Sequence, residues 1–247
     1  MAGGAENVLA HHEVRDGVGV AVTDRHGGAS REPWASLNLA GHVGDDPAHV
    51  EANRRLVRAA VAPTATLVSM RQVHGARVAV VDSATSAEPE ADAVVTRTPG
   101  LVLTVLVADC TPVLLWDRRA RCVAAVHVGR RGLAAGVLPA AVEVMSRQGA
   151  RADRIAAVVG PGICAEHYEV PAGMKADVAA RVPAAGAATS AGAPALDIRA
   201  GVLDQLHTAG LRQWVVMPQC TVETADFFSY RRDGVTGRFA GLVWLEP

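Results

Sequence analysis

The side chains in this sequence best suited to chemistry are His74, Cys110 and His127. Cys110 follows the apolar run 101–107, His127 ends the apolar run 123–126, and His74 stands with Gly75 between two further apolar stretches. Thiolate with imidazole is a borderline-soft donor set that suits zinc, and three protein ligands leave a fourth position for water. An open zinc position brings the pKa of its water to about 7, which makes hydroxide available at neutral pH. The ligands are 36 and 17 positions apart (110 − 74 and 127 − 110). No generic zinc pattern has that spacing. The residues alone therefore also allow a buried free cysteine and two histidines satisfied by backbone groups. Asp109, beside the thiol, reads either as a carboxylate that shuttles a proton or as a turn residue bonded to its own backbone.

Such ligands need rigid supports. The Val-rich runs are bounded by Thr111-Pro112 and Asp117-Arg118-Arg119, which reads as strands buried on both faces. Loops that leave strand ends are where scaffolds present reactive groups. Further strands are expected at 17–23, 112–116, 154–159, 213–217 and 239–244, with a short one after the loop 88–92. Residues 66–73 and 77–81 read as two strands joined by a tight turn at His74-Gly75. Asp46 and Pro47 announce a helix whose apolar face is Val50, Leu56, Val57, Ala60 and Val61, with Asn53 and Arg54 near the opposite side. Other helices are expected at 132–147 with Gly149 as the stop, at 172–182, and from Asp197 to a Gly210 end. Residues 1–16 read as flexible and 184–195 as a mobile Ala/Gly/Ser/Pro loop. The expected fold class is α+β, a single domain over 1–247 with a mixed β-sheet core and helices packed on its faces.

Bulk properties narrow the function classes. Half of the 247 residues are apolar and the net charge is −1, which gives no electrostatic case for nucleic acid or a membrane surface. Lys175 is the only lysine, so arginine pairs such as Arg130-Arg131 reflect a compositional skew as much as a basic patch. The N-terminal stretch lacks a basic region followed by an apolar core, and no apolar run approaches the ~18 residues that span a bilayer. Cys110, Cys122, Cys164 and Cys220 are scattered without C-x-x-C pairs, which reads as reduced thiols. The expectation is a cytoplasmic, monomeric globular protein.

A set of motifs occurs in order: SLNLAGHVGDDPAHVEANRR (36–55), RQVHG (71–75), ADAVVT (91–96), ADC (108–110), AAVHVGRRG (124–132), GPGI (160–163), YEV (168–170) and FFSYRRDGVTGR (227–238). Together they resemble the YfiH-like laccase-domain family, long labelled polyphenol oxidoreductases and later recognised as purine nucleoside-metabolising enzymes. The resemblance runs from about Gly17 to Leu245. It implies a single zinc on His74, Cys110 and His127, with phosphorolysis of adenosine, inosine, guanosine and methylthioadenosine, and hydrolytic deamination of adenosine as a second activity. Under that reading Cys110 and His127 belong to the catalytic centre, and Asp109 is the candidate proton shuttle at purine C6. Arginine suits bidentate phosphate contacts. Arg54, Arg71 and Arg131 lie in the motifs as anion contacts, and Asn38 and His42 as contacts to ribose or base. The partners are purine nucleosides and phosphate.

The chain departs from the family pattern at Arg130, where tryptophan is usual, at Cys164, Glu166 and His167 within GPGICAEHYEV, and at Tyr230, where histidine is common. His167 reads as a surface histidine rather than a further ligand. Two rival functions remain. A copper-dependent, laccase-like polyphenol oxidase would need paired H-x-H motifs. This chain has nine histidines and no such motif, although copper could displace zinc in vitro. A peptidoglycan-editing cysteine hydrolase would use Cys110 as nucleophile with His127 or His74 as base.

Overall fold

The computed structural model describes residues 8–82 and 88–247. The elements in chain order are β1 (Leu9–Arg15), β2 (Val18–Thr23), α1 (Pro47–Val61), β3 (Thr66–Val68), β4 (Val78–Val80), β5 (Ala93–Thr96), β6 (Leu101–Val107), β7 (Thr111–Asp117) and β8 (Cys122–Val128). They continue with α2 (Arg130–Ala135), α3 (Val137–Arg147), β9 (Ala156–Val159), α4 (Ala172–Ala179), β10 (Gly186–Ala188), β11 (Pro194–Leu196), α5 (Ile198–Thr208), β12 (Gln213–Val216), α6 (Tyr230–Asp233) and β13 (Phe239–Leu245). A five-stranded sheet runs β1-β2-β13-β6-β3, a six-stranded sheet runs β12-β9-β7-β8-β5-β4, and β10-β11 form a separate ribbon. Both large sheets mix parallel and antiparallel pairs, so this is a mixed α/β single domain.

Side-chain parity shows how the layers stack. On β6, Leu101, Leu103, Val105 and Val107 join the same buried cluster as Val123 and Ala125 of β8, so these faces of the two sheets meet. The opposite face of β6 (Val102, Leu106) packs with Val57 and Val61 of α1. The opposite face of β8 (Cys122, Ala124, Val126, Val128) packs with α3 and α5 through Leu138, Met145, Val202 and Leu206. The order is helix, sheet, sheet, helices. Strands covered on both faces lose the apolar/polar alternation, and all seven residues of β6, β8 and β13 are buried.

Several expectations need correction. The stretches before and after His74 do not form a hairpin. β3 pairs in parallel with β6 in one sheet and β4 in parallel with β5 in the other, so residues 69–77 cross between layers. The expected helix 132–147 is two helices, because Gly136 adopts a left-handed φ of 80° between them. Asn53 is buried rather than on the outer side of α1, where its amide donates to Ser30, Ser36 and Asn38 oxygens. Leu9–Arg15, within the segment read as flexible, pairs antiparallel with β2, and residues 1–7 lie outside the described residues. Residues 184–195 include β10 and most of β11, which pair antiparallel. The caps agree with the sequence reading: Asp46 accepts from the Ala48 amide and Asp197 from the Ala200 amide, each at 2.8 Å. No described helix is long and apolar enough to cross a membrane.

Candidate active site

Parity also places the candidate ligands. His127 lies on the face of β8 that carries Val123 and Ala125, so at this end of the inter-sheet layer an imidazole replaces the aliphatic stack. Cys110 sits in the passage from β6 to β7, where the chain changes sheets, and packs against the same layer. His74 occupies another inter-sheet passage, from β3 to β4, with a left-handed φ of 60°. One donor atom from each of these three residues lies within 4.8 Å of the others. The two imidazoles meet edge to face with centroids 4.7 Å apart. The sequence therefore named three residues that the fold does bring together.

Asp92 holds them there, a residue that stands in the sequence only as one letter of the ADAVVT motif. Fully buried at the entrance to β5, it accepts from the backbone amides of His74 (2.8 Å) and Gly75 (2.6 Å) and pairs with His127 Nδ1 at 2.9 Å. Its own carbonyl accepts from the His127 amide at 2.8 Å. These bonds support the unusual His74 backbone and leave His127 Nε2 free for a cation. Burial works against the Asp92 charge, but the bonds from His127, Gly75 and His74 outweigh it and hold the carboxyl below its ordinary value. A visible signal existed: a lone carboxylate opening a strand buried throughout needs compensation.

The donor set fits a divalent ion of the zinc class. Burial alone would raise the Cys110 thiol, yet the charge and hydrogen bond of His127, with His74 behind them, bring it down to about 6. Burial alone would lower His127, yet the Cys110 thiolate and Asp92 lift it to about 9. A thiolate is thus favoured at neutral pH, which is the form that ligates metal. Gly129 provides the space: a Cβ there would lie 2.9 Å from Cys110 Sγ and 3.1 Å from His74 Cδ2.

His74, Cys110 and His127 line a cavity of about 900 Å³, within the range of small-molecule sites. Its wall is basic, with Arg54, Arg71, Arg130, Arg231 and Arg238, against Glu88 and Asp109 as the acids. Arg54 donates Nε to Leu39 O at 3.0 Å, and Arg71 pairs with Glu90. Gln72 clamps the His74 passage to β6 with two bonds to the Leu106 backbone, of 2.8 and 2.9 Å. The Arg231 guanidinium stacks 5.3 Å from the Tyr168 ring centroid. Burial first, and the charge of Cys110 second, push the Tyr168 phenol up, so it stays a donor at neutral pH.

Asp109 lines the cavity at a left-handed φ of 96°. Its carboxylate accepts from Thr221 Oγ1 (2.7 Å), Ser229 Oγ (2.7 Å) and the Arg231 amide (2.6 Å). The partners are thus distant side chains and backbone, not its own backbone. His42 is in the wall, where burial and the charge of Arg238 keep its imidazole low. Two expected substrate contacts lie elsewhere. Asn38 is buried and fully engaged with Ala40, Asp45 and Arg238, and Arg131 points to solvent while its neighbour Arg130 lines the cavity. One residue along a helix turns the side chain by about 100°, so the sequence alone could not choose between the two arginines. His167 is not a lone surface histidine: its Nδ1 lies 3.2 Å from Cys164 Sγ.

Residues 19–246 match the family model described as multi-copper polyphenol oxidoreductase laccase. A Streptomyces coelicolor protein named purine nucleoside phosphorylase is 50% identical over 242 residues, covering 97% of this chain and 100% of its own. The Escherichia coli protein named purine nucleoside phosphorylase YfiH is 40% identical over 232 residues, covering 93% and 94%. Among solved structures, the Neisseria meningitidis protein NMB0706 superposes with a TM-score of 0.88 at 34% identity, covering 98% of this chain and 100% of its own. YlmD from Geobacillus stearothermophilus superposes with a TM-score of 0.85 at 33% identity, covering 94% and 93%.

Proposed function

The chain belongs to the laccase-like YfiH family, and from that membership we propose that it is a zinc-dependent purine nucleoside phosphorylase with adenosine deaminase activity. The substrates proposed are adenosine, inosine, guanosine and methylthioadenosine. The observation that supports this most is the juxtaposition of His74, Cys110 and His127 with a ring of arginines in one cavity.

His74, Cys110 and His127 would hold the zinc. Bound there, it supplies Lewis-acid polarisation in the cavity wall. Phosphorolysis forms a bond from phosphate oxygen to ribose C1′ and breaks the bond from C1′ to N9, whose electron pair leaves with the purine. Arg54 and Arg71 are suited to hold the phosphate dianion beside C1′, since guanidinium groups match phosphate geometry. Arg130 adds charge to the same wall and stands in for Arg131 as the third anion contact. Tyr168, kept protonated, and His42, kept neutral, are placed to hydrogen-bond ribose or base. In deamination, water adds at C6 and ammonia leaves. Asp109, anchored by three donors beside Cys110, is the proposed group that takes and returns the proton.

Incubation of purified protein with adenosine and phosphate tests this. Adenine, ribose 1-phosphate and inosine are expected, and no product at any zinc loading overturns it. One observation favours a second reading: the lowered Cys110 thiol beside His127 also suits a nucleophile in a cysteine hydrolase acting on peptidoglycan. That activity would persist after chelation and end on alkylation of Cys110, whereas phosphorolysis would stop on chelation.

A further inference from the structure

We propose that Cys164, His167, Cys220 and Glu223 form a second metal site, a four-ligand zinc clip that ties two surface turns together apart from the His74–Cys110–His127 centre.

The four residues arrive as two pairs, Cys164-x2-His167 and Cys220-x2-Glu223, each on its own turn. In the first turn the His167 amide donates to Cys164 O at 3.2 Å, and in the second the Thr224 amide donates to Cys220 O at 2.9 Å. Two pairs of this spacing on separate turns are how structural zinc sites present their donors. The turns are bridged at Gly162 and Cys220, and the Cys164 amide donates to Cys220 Sγ at 3.3 Å. All four donor atoms lie within 4.8 Å of one another.

The edges of this tetrad carry the argument. Cys164 Sγ to His167 Nδ1 is 3.2 Å and His167 Nδ1 to Glu223 Oε1 is 3.3 Å. Cys164 Sγ to Glu223 Oε1 is 3.7 Å and Cys220 Sγ to His167 Nδ1 is 3.8 Å. Tetrahedral zinc with bonds of about 2.3 Å to sulfur and about 2.0–2.1 Å to nitrogen or oxygen separates its ligands by roughly 3.3–3.8 Å. These four edges, at 3.2–3.8 Å, are thus close to the ligand separations around a tetrahedral zinc. Cys220 is buried and Glu223 exposed, so a cation can enter from the Glu223 side. Two sulfurs, a nitrogen and an oxygen form a full tetrahedral set, which marks a structural rather than a catalytic site.

None of the four lines the large cavity, yet both turns lead into its wall. Ile163 and Tyr168 flank the first pair and line the cavity, and Thr221, next to Cys220, donates to Asp109. The clip would therefore set the spacing between the Tyr168 side and the Asp109–Arg231 side of the active site.

Zinc content of the full chain, purified without chelator, tests the proposal. Two equivalents per chain are expected. One should remain in Cys110→Ala, and one in each of Cys164→Ser, Cys220→Ser and His167→Gln. X-ray absorption of the Cys110→Ala protein should show two sulfur scatterers at about 2.3 Å. Should Cys164→Ser and Cys220→Ser fail to fold, Glu223→Gln, which should lose the second equivalent first on titration with a chelator, and the Cys110→Ala spectrum still decide the matter. A metal-free Cys110→Ala protein overturns the proposal, as does a non-reduced mass lighter by two hydrogens, which would mark a Cys164–Cys220 disulfide instead.

Discussion

His74, Cys110 and His127 converge in the wall of a cavity of about 900 Å³, whereas Cys164, His167, Cys220 and Glu223 converge between two turns outside that wall. Both clusters combine thiol and imidazole, but their surroundings differ. The first gathers three donors, with a buried carboxylate behind one of them and a glycine where any side chain would intrude. The second gathers four donors, one of them the exposed carboxylate of Glu223, and among the described residues no buried carboxylate stands behind them. Their thiols also diverge: Cys110 is drawn down by two imidazoles, while burial and the neighbouring Cys220 push Cys164 up to about 11. Ligand type alone does not separate catalysis from scaffolding. The count of ligands and what lies beyond them does.

The strongest way to break this contrast is to remove the support from the first cluster. Asp92→Ala leaves the Val73, His74 and Gly75 amides and the His127 Nδ1 without their acceptor. Zinc affinity at the first site should fall about 10–100-fold, with phosphorolysis falling at least in parallel. Competition with a fluorescent chelator, followed by the adenosine assay, reads both. Unchanged affinity would mean that Asp92 does not position the ligands. Global stability should also fall, by about 3–5 kcal/mol as for other broken buried charge pairs, measured by urea unfolding of the metal-free proteins.

Gly129→Ala is a smaller intrusion. The new methyl must displace Cys110 Sγ or His74 from 2.9 and 3.1 Å, so metal affinity and activity should drop together, by about tenfold. Zinc at the four-ligand cluster should be retained, which makes the variant a selective probe of the first.

The mildest test uses pH. In metal-free protein the Cys110 thiol, held at about 6, is thiolate above that pH and protonated below it. Iodoacetamide should therefore modify Cys110 first at pH 7, with a rate that falls once pH drops below about 6. Cys164 and Cys122, both pushed up to about 11, should react slowly across that range. Peptide mapping against time gives the order, and equal rates at Cys110 and Cys164 would erase the distinction drawn between the clusters.

How much of this was legible depended on the range of the interaction. Apolar runs mark β6, β7, β8 and β13, because burial on both faces leaves a local trace. The sheet each strand joins left none. β13 pairs with β2 and β6 across more than a hundred residues, and uniformly apolar strands carry no alternation to set faces. That is why the crossing at His74 read as a hairpin. The ordered motifs single out His74, Cys110 and His127, whereas the part Asp92 plays emerges only once β5 is laid beside β8. The second cluster stayed hidden for the same reason. Each pair is half of a metal motif, and the halves meet only where Gly162 bridges Cys220.

The account rests on a metal ion at three ligands with an open corner. Diffraction from crystals grown without chelator, recorded on both sides of the zinc absorption edge, addresses this directly. The predicted result is an anomalous peak about 2.0–2.3 Å from nitrogens of His74 and His127 and from Cys110 Sγ, with no protein side chain in its fourth position. A map with no peak among these residues, or a peak closed by a fourth protein ligand, would contradict it.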